Sequence, residues 1–114
     1  MAIPLTISRS DKIPTIFPSG FNAITQPIRL SVRILQASEI KTVAATEKTD
    51  DSIFDINFNQ PISIIMGSEH RGVNPSILKM VDSKAKLPLL GDIESLNVSV
   101  ACGAFLYEAI RQRM

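Results

Sequence analysis

The stretch that most constrains the fold is the last third of the chain, LPLLGDIESLNVSVACGAFLYEAIRQR, from Leu87 to Arg113. Val98, Ala101, Cys102, Phe105, Leu106, Ala109 and Ile110 recur at a strict 3,1,3,1 spacing. That spacing lays one apolar stripe along a helix that must be covered by something else. Ser95 and Asn97 stand where an N-cap oxygen could accept from the orphan amides of the first turn. Arg111 and Arg113 fall in the last turn, where a cation suits the helix dipole. Ala101 to Ala104 are four small residues in a row. Glycine inside a helix costs about 1 kcal/mol against alanine, so Gly103 points to another backbone packed close to that turn. An ordinary core helix would account for the stripe alone.

A helix with one apolar face needs a sheet, and the rest of the chain supplies strands. Ile62 to Met66 (ISIIM) is a nearly continuous β-branched run, the mark of a strand buried on both faces. Glu39 to Ala45 and Ala85 to Leu89 read as further strands. Ala2 to Ile7 reads as another, which Pro4 pushes to an edge. Ile28 to Ala37 reads as a helix with Ile28, Val32 and Leu35 on one face and Arg29 and Arg33 on another. Pro75 to Val81 reads as a short helix, with Asn74 as cap and Pro75 at its first position. Ser52 to Asn59 is ambiguous. Residues 8–30 carry Pro14, Pro18 and Gly20 and read as an irregular loop or insertion. Alternating strands and helices argue for an α/β domain with a mostly parallel sheet.

Bulk properties narrow the function only by exclusion. The 114 residues make one domain at most. Twelve Lys and Arg against eleven Asp and Glu give a net charge of +1, so any nucleic-acid contact has to come from a local patch. A single cysteine forms no internal disulfide and fits a reducing, cytoplasmic setting. No run approaches a membrane span, and no signal peptide is evident. One histidine and one distant cysteine make no metal site. His70 reads as a surface residue, Cys102 as a small buried hydrophobe, and Tyr107 and Phe105 as core or dimer contacts. Arg71, Arg111 and Arg113 could touch phosphates, although a solvated helix end explains the last two as well.

Ligands in open α/β sheets bind outside the carboxyl ends of strands. Two glycine-bearing loops fall at such ends, GSEHRGV from Gly67 and LPLLG from Leu87. Neither has the spacing of a dinucleotide fingerprint or a P-loop, and the glycines could serve the turns alone.

Taken together, IIMGSEHRGV and LPLLGDIESLNVSVACGAFLYEAIRQR resemble the second and third sequence motifs of the SpoU (TrmH-type) RNA ribose methyltransferases, a branch of the SPOUT class. Gly67, Ser68, Glu69 and Gly72, then Pro88 and Gly91, then Ser95 to Ser99 (SLNVS), and finally Glu108, Ala109 and Arg111 to Arg113 match that pattern. The similarity runs from about Glu39 to the C-terminus. It implies a SPOUT-type α/β domain with a C-terminal trefoil knot, and a homodimer joined through the C-terminal helix. It also implies S-adenosyl-L-methionine as cofactor, and 2′-O-ribose methylation of an RNA partner, rRNA or tRNA. Carried over by position, Gly67, Leu87 and Leu96 would hold the cofactor, with Ser68, Leu89, Leu90 and Ala101 as neighbours. Asn97, Glu69 and Ser95 would line the catalytic side. Asn97 has a competing role as a helix cap.

The chain departs from the family in one respect. The arginine-bearing first motif, of the form N-x-x-N-x-G-x-x-R, is not found. The nearest candidates are Arg29 and Arg33 in NAITQPIRLSVR, where the small residues and spacing differ. The early strands of the family's sheet are not evident either. The chain therefore reads as the C-terminal part of a methyltransferase domain. The alternative is a non-catalytic cofactor- or RNA-binding remnant that needs a partner segment.

Overall fold

The computed structural model describes residues 3–7, 28–67, 72–89 and 97–114, with residues 3–7 and 28 described by their backbone only. Four strands form one sheet among these residues: β1 (Ile3–Ile7), β2 (Lys41–Ala45), β3 (Ile62–Met66) and β4 (Ser83–Ala85). Their order is β1-β3-β2-β4. β2 runs parallel to both β3 and β4, while β1 pairs antiparallel with β3, Pro4 opposite Ile65. The mostly parallel α/β sheet expected from the sequence is therefore present, with the proline strand at an edge. The threading that a trefoil knot requires would involve residues 68–71 and 90–96, which lie outside the described set. No described helix is long and apolar enough to cross a membrane.

The two faces of the sheet carry different layers. Val43, Ile62, Ile64 and Met66 point to one face, where they pack with Ile53, Ile56, Phe58, Phe105 and Ala109. Ala44 and Ile65 point to the other, where Val32, Val73 and Ile77 cover them. This is the period-2 alternation of a strand, and all five residues of β3 are buried. Helix α1 (Ile28–Ala37) and the single-turn α2 (Pro75–Leu78) belong to the second layer, and α3 (Val98–Arg113) to the first. Residues 28–30 form the first turn of α1, which removes them from the expected irregular segment; residues 8–27 lie outside the described set.

Helix ends and strand starts follow from local chemistry. α1 closes with Glu39 in the left-handed region (φ 60°), the Glu39 amide donating to the Gln36 carbonyl and the Ile40 amide to the Leu35 carbonyl. That pair of bonds is a Schellman motif. It delays β2 to Lys41, two residues after the start expected from alternation. Asn74 caps α2, its Oδ1 accepting from the Ser76 amide at 2.8 Å, with Pro75 at the first helical position as the sequence predicts. Beyond the sheet's second layer, the Asp82 carboxylate accepts from both the amide (2.9 Å) and the hydroxyl (3.0 Å) of the buried Thr42, and the Gln36 amide donates to Thr42 Oγ1 and to the Met80 carbonyl.

The strand expected over Ala85 to Leu89 lies earlier. β4 ends at Ala85, and the Lys86 amide and carbonyl then bond to the Asp51 carbonyl and the Ile53 amide, both at 2.9 Å. The chain thus leaves β2 for the 51–53 segment, and Pro88 has no amide to continue a ladder. Ser52 to Asn59, ambiguous in sequence, forms a 3-10 turn at Ile53–Asp55, and Ile53, Ile56 and Phe58 of this segment are buried in the cluster that α3 covers.

Candidate cofactor site

Three segments singled out in the sequence meet at the carboxyl ends of the strands. Gly67 directly follows β3. Leu87 follows β4 by two residues. The first turn of α3 brings Val98, Ala101 and Cys102 onto the apolar cluster that also holds Met66, Ala85 and Leu87. Leu87, Leu89, Val98 and Ala101 are each only partly buried. Leu87, Val98 and Ala101 rest on a common core while keeping part of their surface open, the pattern of a shallow apolar wall.

The glycine at position 67 has a steric cause. A Cβ built there would run into the Gly72 carbonyl group and the Val73 amide. Strand end and returning chain approach more closely than any side chain permits. Gly72 is needed for another reason: its φ of +65° is strained for L side chains, and nothing crowds it.

Asn97 is the N-cap of α3. Its Oδ1 accepts from the Ser99 amide at 2.8 Å, and its carbonyl accepts from Ala101 at 2.9 Å. The capping role is thus observed for this candidate catalytic residue. Ser68, Glu69, Leu90, Ser95 and Leu96 lie outside the described residues, as do His70 and Arg71. Arg29 and Arg33 are exposed on α1, in the layer on the opposite face of the sheet from α3, so they do not stand beside Asn97. Among the described residues no cluster of His, Cys, Asp or Glu could hold a metal ion. Cys102 is only partly buried, less enclosed than the small buried hydrophobe expected, and that burial pushes its thiol above the ordinary range.

The other end of α3 holds residues whose roles sequence reasoning missed. Glu108 lies on the buried side, 6% exposed, beside Phe105 and Ala109. Arg111 donates to both of its oxygens, and this pairing chiefly holds the carboxyl below its ordinary range, aided by Gln112 and opposed by burial. Gln112 accepts from the Phe58 amide at 2.7 Å and donates to the Ile56 carbonyl at 2.9 Å. Arg113 donates to the carbonyls of Phe58 (2.9 Å) and Gln60 (2.6 Å). Arg113 is therefore a structural clamp, more than the solvated helix end that its position in the last turn suggests. The i, i+3, i+4 spacing of Glu108, Arg111 and Gln112 was the available signal.

The outward side of α3 carries exposed apolar side chains. Val100 is 57% exposed and Tyr107 75%, so Tyr107 is no core residue. Among the described residues, nothing lies within 4 Å of the place a Gly103 Cβ would take, so the backbone expected against Gly103 is not supplied by them.

A mostly parallel α/β sheet with an apolar, glycine-bounded wall at its strand ends is the arrangement in which open α/β domains place their ligands. The pattern of the SpoU rRNA Methylase family matches residues 23–107, and the chain belongs to that family. It is 34% identical over 84 residues to the 23S rRNA (guanosine-2′-O-)-methyltransferase RlmB of Burkholderia, covering 74% of this chain and 34% of that protein. It is 44% identical over 59 residues to the tRNA (guanosine(18)-2′-O)-methyltransferase of Aquifex aeolicus, covering 52% and 28%. Among solved structures, the methyltransferase AviRb of Streptomyces viridochromogenes bound to AdoMet superimposes with a TM-score of 0.66 at 33% identity, covering 75% of this chain and 33% of that one. The TrmH/SpoU tRNA-modifying enzyme of A. aeolicus gives 0.68 at 32%, covering 77% and 45%. The chain spans about a third of the length of the curated relatives it matches.

Proposed function

We propose that this chain carries the S-adenosylmethionine-binding part of an RNA ribose 2′-O-methyltransferase. The observation that carries the reading is the meeting of Gly67, Leu87 and the first turn of α3 at one end of the sheet. The residues present fit such a cofactor. Leu87, Val98 and Ala101 offer apolar surface for an adenosyl group, and strand ends offer backbone donors and acceptors. When bound, S-adenosylmethionine supplies an activated methyl group. By the family resemblance, Gly67, Leu87 and Leu96 would hold it, with Ser68, Leu89, Leu90 and Ala101 as neighbours, and Asn97 caps the helix that starts beside Leu96 in sequence. By the same resemblance, Glu69, Ser95 and Asn97 would serve the catalytic side, with the ribose of an rRNA or tRNA as the group modified. The site works in a homodimer joined through α3, a reading supported by exposed Val100 and Tyr107 and open Gly103.

One observation favours a second reading. Arg29 and Arg33 stand on the far layer from Asn97, so neither of these two arginines is placed to activate a 2′-hydroxyl beside it. In that reading the chain binds cofactor or RNA and needs another segment for turnover.

The test is a calorimetric titration of the purified chain with S-adenosylhomocysteine, repeated with Leu96→Arg. Saturable binding that the substitution abolishes is expected. A folded wild-type chain that takes up no ligand would overturn the cofactor reading.

A further inference from the structure

The two walls of the proposed site are tied together at their far ends. One wall follows β3, which delivers Gly67 at its carboxyl end. The other is the start of α3, with Asn97, Val98 and Ala101. A helix of 16 residues spans about 24 Å, so the last turn of α3 is remote from that start. It is there that Gln112 brackets residues 56–58 with two hydrogen bonds, and Arg113 grips the carbonyls of Phe58 and Gln60. Those carbonyls belong to the segment that enters β3 two residues later, through Pro61, whose own carbonyl accepts from Lys41. The apolar contacts of α3 with the sheet are non-directional and tolerate sliding along the helix axis. The four clamp bonds are directional, and they lock the axial position of α3 against β3.

We propose that Gln112 and Arg113 are positioning residues that set, from the opposite end of α3, where its first turn stands relative to Gly67. Through that placement they tune cofactor affinity, a consequence that rests on the function proposed above. Phe58 and Ile56 are the receiving side of the device: their backbone groups take the clamp bonds while their side chains are buried in the core that α3 covers. Glu108 supports it from below, accepting from Gln112 at 3.5 Å.

The experiment compares the wild-type chain with Gln112→Leu, Arg113→Lys and Gln36→Ala. The last removes hydrogen bonds in the opposite layer and serves as a stability control. Amide hydrogen exchange and S-adenosylhomocysteine affinity are measured well below every melting temperature. Expected for Gln112→Leu is faster exchange at residues 99–102 as well as at 110–113, with affinity lowered about three- to tenfold. Arg113→Lys, which keeps the charge and loses the fork, should give the same pattern more weakly; it decides the matter alone if Gln112→Leu does not fold. Gln36→Ala should leave both readouts at 99–102 and at the ligand unchanged. Faster exchange confined to 110–113 would mean simple end fraying and would overturn the proposal, whether or not ligand binds. Wild-type chain that shows no binding, with the exchange pattern as expected, would overturn the cofactor reading and leave the positioning role standing.

Discussion

Gly67 and Gly72 touch backbone to backbone, with no room for a side chain at the first and a left-handed turn at the second. The two glycines therefore fail differently when replaced. Gly67→Ala forces a methyl group into the Gly72 carbonyl and must shift the strand end, an overpacking cost of about 1–3 kcal/mol. Gly72→Ala meets empty space and pays only for its positive φ, about 1–2 kcal/mol. Gly72→Asn should recover part of that loss, because Asn tolerates the left-handed region, while Gly67→Asn should be worse than Gly67→Ala. Urea denaturation of the four variants checks this. Equal recovery by Asn at both positions would contradict the steric account of Gly67.

Two aromatic residues two positions apart on α3 should behave oppositely. Phe105 is 1% exposed within the main core, so Phe105→Ala should cost about 3–5 kcal/mol. Tyr107 faces outward, and in the isolated chain Tyr107→Ala should change stability by no more than about 0.5 kcal/mol. A larger effect is expected only on association, under the dimer proposed above. If α3 joins two copies, Tyr107→Ala and Gly103→Arg should shift sedimentation toward monomer at concentrations where the wild-type chain dimerises. A dimer that withstands Gly103→Arg would place the interface elsewhere.

Buried Thr42 predicts a third outcome. Its amide, at the start of β2, donates to the Asp82 side chain. Asp82→Ala leaves that amide and the Thr42 hydroxyl without the carboxylate, a loss of about 1–3 kcal/mol. Asp82→Asn keeps one acceptor oxygen and should lose less. Denaturation midpoints, with exchange at the Thr42 amide as the local probe, distinguish the two. A stability for Asp82→Ala equal to wild type would show that water replaces the carboxylate at no cost.

Periodicity was enough to read β3, α1 and α3, because each buries a face of fixed repeat. Asn74 and Pro75 marked the α2 start, and Asn97 the α3 start, because caps are local chemistry. β4 ends four residues earlier than its expected end because Lys86 takes its partners from Asp51 and Ile53, a pairing across more than thirty positions that no local pattern reveals. Residues 52–59 stayed ambiguous for the same reason: their shape is set by Gln112 and Arg113, over fifty positions away. Glu108 was hidden by its type, since a carboxylate on a helix is read as solvated until its partners are seen. Gly67, Leu87 and Ala101 stand out in the sequence only through the family motif, because no local pattern brings a strand end, a post-strand leucine and a helix start together.

Glu108 gives the pH dependence of the fold a direction. Its carboxyl titrates below the ordinary range in the folded chain, chiefly because Arg111 hydrogen-bonds it, with Gln112 adding to this and burial working against it. A depressed folded value means that the ionised form stabilises the fold. That contribution is complete above the unfolded carboxylate value of about 4.3, and it fades as pH falls through the lower folded value. Glu108→Gln removes the titration while keeping the shape. The melting-temperature gap between wild type and variant should therefore be constant from about pH 5.5 upward and should narrow steadily toward pH 3. The partner Arg111 is well exposed, so added salt should trim the gap at neutral pH without closing it. A gap that stays the same down to pH 3 would show that Glu108 contributes through packing and the Gln112 contact, with no part played by its charge.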